Sequence, residues 1–470
     1  MKKIVYELNE VPKRLFDFYA DAFPKSAFAK LRGRSELFET RTADVGHLSP
    51  WITWPSLHRG VSNLQHEISD LGQDLTEVNK EFPSVFSILA DQDVKVGVFG
   101  SLQSYPMPEN LDNYSFYVPD TFAAGSECFP KQLSDFQAFN LSMVKSSGRN
   151  VGGGVAVREL AKFLKNARQL GLTLSTVGKL VHQLASERVT PDRKVRRRSS
   201  QVEIAFDLYY KQLKETLPDV SFFFTNHVAS SMHRYWPTVF PKDYEENKFE
   251  SEWLERWKKE IPHAVRIANH QLGLLIELCD AKAMELIVCS SMGQGAVQDA
   301  SPISKQVLIT NIKKLLEYIG MTEADWEARL AMAPRVVVKP VSDRFVPALE
   351  KLNHLKINGH PLECVVTSTG DVRFKVEIFD IDELDIRDNG VQLDPNSLGI
   401  EIIDLQDATG SYAYHIPEGI LLHYKPARHN APDGAKRWRS VSALDVCPSL
   451  ISSFGGSVPG YMTGESGLFA

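Results

Sequence analysis

The segment Ser49–Gly60 (SPWITWPSLHRG) places a hydroxyl residue between two prolines and close to cationic side chains. Proline fixes φ and removes a backbone donor, so we expect this segment to be a loop that holds Thr53 in one orientation. A rigidly presented hydroxyl beside His58 and Arg59 suits nucleophilic attack on an anionic ester. Taken alone, the segment favours a Trp- and Pro-rich packing loop that has no chemical role.

Histidines supply a second indication of chemistry. His227 and His233 lie together in the segment TNHVASSMHRYWP, directly after an apolar run, and His415 stands near the C-terminus. Neutral imidazole is the common ligand of zinc-like metals, and loops at strand ends can hold such ligands rigidly. Their spacing matches no helical zinc motif, so surface or hydrogen-bonded histidines remain the alternative interpretation.

These residues must be positioned by a sheet, and the sequence contains four short apolar runs suited to one. Each run ends in, or leads directly into, Gly, Ser, Thr or Asn, as strands of a parallel sheet do where they meet loops. The runs are Lys2–Leu8, Val94–Gly100, Val220–Thr225 and Glu285–Ser290. Helical patterns separate them, which predicts an α/β fold with helices on both faces and chemistry at the carboxyl ends of the strands.

Two regions depart from this alternation. Residues 130–217 combine helical patterns with the basic block Arg193–Arg198 (RKVRRR), which predicts a helical cap inserted over the sheet. No aromatic residue interleaves the block, so a solvated helix end is favoured over a nucleic-acid site, although it could attract a polyanionic group. Residues 335–403 are rich in Val, Ile and Asn-Gly pairs, which predicts short strands and hairpins. Trp253–Asp280 reads as a long helix that Pro262 should kink or split.

Composition excludes several classes of protein. The 470 residues carry 53 Lys and Arg against 59 Asp and Glu, and this net charge of −6 argues against a generic nucleic-acid binder. No apolar stretch is long enough to predict a membrane-spanning helix. The five cysteines are scattered without a CxxC pair, which indicates neither a disulfide framework nor a zinc knuckle and predicts a cytoplasmic location.

Several segments, in order along nearly the whole chain, resemble the alkaline phosphatase superfamily, and within it the nucleotide pyrophosphatase/phosphodiesterase-type enzymes. The segment KKIVYELNEV resembles the first strand of that family, with Asn9 where a metal-binding Asp is usual. Pro50 to Pro55 resemble its nucleophile segment, which makes Thr53 the candidate nucleophile, and Leu444–Gly464 resemble its closing segment. The resemblance implies a three-layer α/β sandwich with a mostly parallel central sheet, a helical cap insertion and a small β-rich insertion.

The resemblance also implies metal chemistry, because members of the family bind two divalent ions that clamp the attacking and leaving oxygens. At one site the matching residues carry no formal charge, so a divalent ion is not expected there unless Glu7, Glu10 or Asp44 contributes. These matching residues are Asn9, Thr53, Ser291 and Met292. At the other site, Ala229 occupies the position of an Asp, but neutral ligands remain. The candidate ligands of a single zinc-like ion are therefore His233, His415, His227, Asn226 and Asn9, and the candidate substrate-binding residues are Arg234, Ser291 and Gly293.

Three hypotheses of function follow. The chain is a phosphoester hydrolase or phosphotransferase that uses Thr53 and one divalent metal on a small phosphorylated substrate or a phosphorylated glycan. Alternatively it is a catalytically inactive relative that binds a phosphorylated ligand or a protein partner, or it shares the fold alone and a different chemistry uses the same cleft. The predicted domains are a core formed by residues 1–129, 218–334 and 404–470, the helical cap at 130–217 and the β-rich insertion at 335–403.

Overall fold

The computed structural model describes residues 1–147, 157–329, 331, 334–367, 370–405, 407, 409–426 and 437–469. The β-strands alternate with helices through the first two-thirds of the chain and then follow one another closely. The strands are β1 (Lys3–Leu8), β2 (Ser35–Arg41), β3 (Val96–Phe99), β4 (Tyr114–Val118), β5 (Val220–Thr225), β6 (Glu285–Cys289), β7 (Gly293–Ala296), β8 (Lys305–Ile309), β9 (Trp326–Arg329), β10 (Arg335–Pro340), β11 (Leu355–Ile357), β12 (His360–Pro361), β13 (Glu363–Val366), β14 (Val372–Lys375), β15 (Ile386–Asp388), β16 (Val391–Leu393), β17 (Ile400–Asp404), β18 (Ala413–Ile416), β19 (Glu418–Tyr424) and β20 (Arg439–Ser442).

Helices separate the strands of the main sheet. The α-helices are α1 (Lys13–Ala22), α2 (Ala27–Arg34), α3 (Pro50–Arg59), α4 (Asn63–His66), α5 (Thr76–Glu81), α6 (Val85–Asp91), α7 (Ser134–Ser147), α8 (Val157–Leu170), α9 (Leu174–Val189), α10 (Arg197–Thr216), α11 (His227–Tyr235), α12 (Ser251–Trp257), α13 (Glu260–Lys282), α14 (Ile312–Tyr318), α15 (Phe345–Ala348), α16 (Pro395–Leu398) and α17 (Val446–Ser453). The 3-10 helices are Lys131–Leu133, Pro191–Arg196, Trp236–Thr238, Pro241–Asp243, Leu349–Leu352 and Ala443–Asp445.

The main sheet has eight strands in the order β20-β2-β19-β6-β1-β5-β3-β4. β6, β1, β5, β3 and β4 run parallel to one another, while β19 is antiparallel to both β6 and β2. All four strands predicted from the sequence are present here as β1, β3, β5 and β6. The predicted α/β class with a mostly parallel central sheet is therefore confirmed.

β1 lies in the middle of this sheet, and its side chains alternate between two apolar layers. Ile4, Tyr6 and Leu8 face a cluster built with α1, α2, α10, α11 and α13. Val5 faces the other cluster, which α3, α6 and α17 complete. These two clusters give the sandwich its three layers. Because β1, β5 and β6 are parallel, the residues that follow them meet at one edge of the sheet.

Two sequence expectations need correction. The segment predicted as a rigid loop is helix α3, with Pro50 at its start, where a missing N–H costs nothing, and Gly60 as its left-handed cap (φ 66°). Pro55 lies inside this helix, which tolerates it. The long helix predicted around Pro262 is divided, but at residues 258–259, so that Pro262 falls in the first turn of α13.

A separate apolar cluster occupies the region of short strands. Its buried residues run from Val307 to Ile400, and two four-stranded antiparallel sheets and the pair β8–β17 surround it. This cluster therefore includes β8 and α14, which precede the predicted insertion at 335–403. The domain boundaries themselves stay a prediction. In the part of the chain that the structure describes, no helix combines the length and hydropathy needed to cross a membrane.

A buried ionic triad lies at the opposite end of the sheet, where β1 and β6 begin. Lys3 and His423 both contact the Glu285 carboxylate, the latter at 3.0 Å from Nε2, and all three side chains are at most 6 % exposed. Burial alone would raise the pKa of Glu285, but the hydrogen bonds from His423 and Lys3 lower it to about 2. Burial lowers the pKa of His423.

We predict that Glu285→Gln lowers the free energy of unfolding at pH 7 by about 3 kcal/mol, because it leaves a buried ammonium unpaired. A carboxyl whose pKa is depressed on folding contributes stability above its unfolded pKa of about 4.5 and loses it as pH falls toward about 2. The free energies of unfolding of variant and parent should therefore approach each other below about pH 4.5. Urea unfolding between pH 7 and pH 3 measures both. Glu109→Gln, at an exposed loop position, is the control. Equal stability of Glu285→Gln and the parent at pH 7 would contradict the role of the triad.

Candidate metal site and hydroxyl pair

Glu10 is the buried carboxylate around which the site is built. It follows β1 at the carboxyl edge of the sheet, in the left-handed region (φ 58°), which an L-residue other than Asn or Gly occupies at a cost. This backbone conformation turns the chain so that the side chain is buried, with 2 % of it exposed. A strained backbone that keeps a carboxylate buried indicates that the position has a use for the charge.

Two histidine rings converge on this carboxylate. The Nε2 atom of His233, near the end of α11, lies 3.0 Å from Oε2 of Glu10, and that of His415, in β18, lies 3.4 Å from the same oxygen. On the far side of each ring, Nδ1 lies 2.7 Å from a backbone carbonyl, that of Ala413 for His233 and that of Leu48 for His415. A carbonyl only accepts, so Nδ1 carries the proton and donates, and Nε2 is the atom left to face Glu10.

This donor set fits a divalent metal ion. One ligand atom from each of Glu10, His233 and His415 lies within 4.8 Å of the other two. A tetrahedral ion with bonds of about 2.0–2.2 Å keeps its ligand atoms roughly 3.3–3.6 Å apart, close to the separations measured here. Two imidazoles and one carboxylate are also the protein ligands of several catalytic zinc sites, which leave a fourth position open. His233 is 22 % exposed, which gives that position access to solvent.

Amide groups complete the surroundings of the carboxylate. Asn9 donates from Nδ2 to Oε1 of Glu10 at 2.8 Å, and Gln294 donates to Oε2. The Oε1 atom of Gln294 is buried without a hydrogen-bond partner among the described residues, so one polar atom next to the cluster is still unsatisfied.

The electrostatics of the pair follow from this arrangement. Burial raises the pKa of Glu10, but His415 and His233 outweigh it and hold that pKa well below its ordinary value. Conversely, burial would lower the pKa of His415, and the facing Glu10 raises it above the ordinary value. Glu10 is therefore ionised and available as a ligand.

Asn9 and Asn226, predicted as metal ligands, are occupied by hydrogen bonds instead. The Oδ1 atom of Asn9 accepts from Nε1 of Trp54 at 2.8 Å, and its Nδ2 donates to Oδ1 of Asn226 at 2.8 Å. Each amide oxygen thus already has a donor. The pair links Glu10 to α3 through hydrogen bonds, and a ligand role for Asn9 or Asn226 stays a prediction.

His227, also predicted as a ligand, does not join the cluster. It lies in the first turn of α11, two turns before His233, and its Nε2 donates to the carbonyl of Ala264 at 3.1 Å. Burial lowers its pKa to about 3, so the ring is neutral. Its contacts are those of a packed core histidine.

The two hydroxyls singled out by the sequence lie together. Oγ1 of Thr53 and Oγ of Ser291 are 2.8 Å apart, and both residues are fully buried. Thr53 precedes Trp54, which binds Asn9, and Ser291 lies three residues before Gln294, which binds Glu10. The hydroxyl pair is thereby joined on both sides to residues that contact Glu10.

His58 and Arg59 make other contacts. On a helix, these residues lie about 140° and 120° around the axis from Thr53, because successive residues rotate by about 100°. His58 is paired with Glu7 at 2.6 Å, and Arg59 donates to Oδ1 of Asn79 at 2.7 Å. Their predicted catalytic roles gain no support from these contacts, and the loop interpretation that placed them beside Thr53 was wrong.

The predicted substrate-binding residues have structural partners. Arg234 donates to the Ser230 carbonyl at 2.7 Å and pairs with Asp407 at 3.3 Å. Gly293 begins β7, and a Cβ atom there would lie 2.1 Å from the carbonyl oxygen of Glu418. Close strand packing therefore explains this glycine, and a part in substrate binding stays a prediction for Arg234, Ser291 and Gly293.

Glu10 was the residue that sequence reasoning left among several possibilities. The other acidic candidates are engaged elsewhere: Glu7 with His58, and Asp44 with Oγ of Ser56 at 2.6 Å. The usable signal was position, since Glu10 directly follows a buried strand whose end faces the two histidines. Spacing alone could not reveal the turn at φ 58° that brings it inward.

Comparisons with known proteins return likenesses to solved structures. No family model and no curated sequence matches the chain. Murine ectonucleotide pyrophosphatase / phosphodiesterase 5 is 11 % identical over 98 % of this chain and 96 % of its own, with a TM-score of 0.41. The human protein is 9 % identical over 100 % and 98 %, at 0.39. Phosphonoacetate hydrolase from Sinorhizobium meliloti 1021, with bound phosphonoacetate, is 14 % identical over 95 % and 94 %, at 0.42.

The chain is similar to nucleotide pyrophosphatase/phosphodiesterase-type proteins. The resemblance that the sequence motifs indicate is thus confirmed as a resemblance, and it spans nearly the whole chain. At these identities and TM-scores it carries no argument about activity, which has to rest on the residues themselves.

We predict that the purified protein binds about one zinc-like ion per chain, and that Glu10→Gln and His415→Ala abolish binding, because each removes one of three ligands. Elemental analysis after dialysis against the metal measures the stoichiometry. His47→Ala is the matched control, since His47 is exposed, lies next to Tyr414 and stands outside the ligand set. Full metal content in both ligand variants would exclude this site.

Proposed function

We propose that the protein is a phosphoester hydrolase or phosphotransferase that uses Thr53 as nucleophile and one zinc-like divalent ion held by Glu10, His233 and His415. The observation that carries the proposal is the convergence of two imidazole Nε2 atoms, each fixed through Nδ1 by a backbone carbonyl, on a buried carboxylate. When bound, the ion would supply Lewis-acid stabilisation of the charge on the phosphoryl oxygens.

A neighbouring side chain orients the proposed nucleophile. Ser291 holds Oγ1 of Thr53 in place at 2.8 Å and so fixes the direction of its lone pairs. In the proposed reaction, Oγ1 forms a bond to phosphorus while the ester P–O bond breaks, and the leaving oxygen takes up the proton that Thr53 loses. The oxygen of water, in a hydrolase, or of an acceptor alcohol, in a transferase, then bonds to phosphorus while the bond from phosphorus to Oγ1 of Thr53 breaks. Oγ1 takes up the proton that the attacking oxygen loses.

The surrounding charges support dependence on a metal. A phosphoester brings one or two negative charges, which the transition state needs to have balanced. Arg234 is already paired with the Asp407 carboxylate, and Arg59 lies about 120° around α3 from Thr53 and donates to Asn79. An ion at Glu10, His233 and His415 is the source of positive charge that the arrangement favours. A small phosphorylated compound is the substrate class that follows.

Binding without turnover is the second candidate function, and one observation favours it. Thr53 and Ser291 are both fully buried, so a substrate reaches the hydroxyl only after side chains move. The positions where the family's second ion would be held also carry neutral groups that hydrogen-bond to one another, as Thr53 does with Ser291. In this function the site would hold an ion and a phosphorylated ligand, and Thr53 would be structural.

We predict that the zinc-loaded protein hydrolyses aryl phosphate monoesters or diesters and that Thr53→Ala lowers kcat/KM at least about 1,000-fold, because no other residue replaces a covalent nucleophile. The metal content of Thr53→Ala should equal that of the parent, since Glu10, His233 and His415 are the proposed ligands and all three are kept. Thr53→Ser is the matched variant that keeps a hydroxyl and should retain measurable turnover.

The outcomes separate the two functions. Turnover retained in Thr53→Ala but lost in His415→Ala would remove Thr53 from its role while keeping the metal. A protein that binds the ion, is inert toward both ester classes, and gains thermal stability with a phosphorylated compound would have the binding function.

A further inference from the structure

Helix α9 of the helical region exposes its apolar side to solvent. Leu174, Val177, Val181 and Leu184 are spaced by three or four residues and so share one face. Their exposures are 83, 38, 60 and 54 %. Val189, at the end of the helix, is 85 % exposed. A surface helix of a globular protein normally turns such a stripe toward the core.

The polar side of α9 is the side that faces the protein. Thr176, Ser186 and Glu187 are its buried residues. Glu187 accepts from Nε of Arg197 at 2.8 Å, and Nε2 of Gln183 donates to the Arg193 carbonyl at 2.6 Å. These bonds fix the rotation of the helix about its axis. Because these bonds hold the polar side against the protein, the apolar stripe faces the solvent. Exposed apolar area of this kind is unfavourable in water.

The part of the chain that contains this stripe is rich in basic residues. Between residues 157 and 198 there are eleven Lys and Arg against three Asp and Glu, in a chain whose net charge is −6. All three acidic residues are buried or half-buried. Part of the basic block points inward, since Arg196 pairs with Glu260 and Arg198 with Asp407.

Other cations of the same region are left for a partner. Arg188 and Lys194 are exposed and Arg193 is half-buried, and none of them has an ion-pair partner in the described part of the chain. Arg188 lies on α9 itself. The 3-10 helix Pro191–Arg196, which carries the other two, packs along α9 through the Gln183–Arg193 hydrogen bond.

We propose that α9 and the adjoining cations form a peripheral docking surface for a membrane that contains anionic lipids. An amphipathic helix with an apolar face and basic residues beside it lies at the boundary between head groups and acyl chains, where each part of this surface meets its complement. A second copy of the chain fits less well. In a two-fold interface the same positively charged surface would face itself.

The test uses the full-length protein and co-sedimentation with vesicles of phosphatidylcholine, either alone or with about 30 % phosphatidylserine. We expect binding to the anionic vesicles that is weaker on the neutral ones and is reduced at about 0.5 M salt. The double variant Val181→Gln with Leu184→Gln, and the double variant Arg188→Glu with Lys194→Glu, should each lower vesicle affinity at least about tenfold.

Matched controls carry the same chemical changes elsewhere on the surface. Val391→Gln changes a valine that is 65 % exposed on β16. Lys25→Glu with Lys356→Glu repeats the charge change at two exposed positions outside the helical region. All controls should bind anionic vesicles as the parent does. Circular dichroism and thermal melting check that each variant is folded. If Val181→Gln with Leu184→Gln is unfolded, vesicle binding by Arg188→Glu with Lys194→Glu decides the test.

Three outcomes would overturn the proposal. The first is the absence of binding to anionic vesicles at low salt, and the second is equal binding by the folded α9 variants and the parent. The third is a dimer, seen by light scattering, that Val181→Gln with Leu184→Gln dissociates while vesicle binding is absent. That result would assign the stripe to a second copy of the chain. The metal content and the phosphoesterase activity do not enter this test, so failure of the proposed function leaves it unaffected.

Discussion

The burial of one carboxylate is the constraint on which the arrangement of the site depends. An ionised Glu placed out of water costs several kcal/mol unless its oxygens find donors or cations. For Glu10 one partner is the adjacent Asn9, and the others come from distant parts of the chain. These are Gln294 in β7, His233 in α11 and His415 in β18. The strand ends at the carboxyl edge of the sheet therefore have to come together for the charge to be satisfied.

On the neighbouring side of the site, neutral groups satisfy one another instead. Trp54 donates to Asn9, and Thr53 shares a hydrogen bond with Ser291. Met292, which follows Ser291, is fully buried. Where carboxylates would repel each other without an ion between them, these residues pack without one. The structure thus combines one cluster of candidate ion ligands with one hydrogen-bonded cluster of neutral groups.

The sequence predicted the parts of the fold that depend on local pattern. Buried parallel strands read as apolar runs, so β1, β3, β5 and β6 were found, and His233 and His415 were both among the residues singled out from the sequence. The sequence did not predict features that depend on the rotation of a helix about its axis or on a single backbone angle. Reading Ser49–Gly60 as a loop placed His58 beside Thr53, whereas the rotation of α3 turns it toward Glu7. A single left-handed residue selected Glu10 in preference to Asn9. The orientation of α9 was beyond sequence pattern too, because hydrogen bonds of its polar side outweigh the apolar stripe.

The positions of the three ligands along the chain have a mechanical meaning. Glu10, His233 and His415 come from the beginning, the middle and the end of the chain. An ion bound by all three would close two loops of about 200 residues each, as a pair of long-range cross-links does, and would restrict the unfolded chain as well as complete a site. Folding and ion binding would then be one equilibrium, with the ion acting as a staple for the whole sheet. Both histidines also depend on one short strand, because His415 belongs to β18 and the carbonyl of Ala413 in β18 accepts a hydrogen bond from His233. A shift of that strand would therefore displace two of the proposed ligands at once.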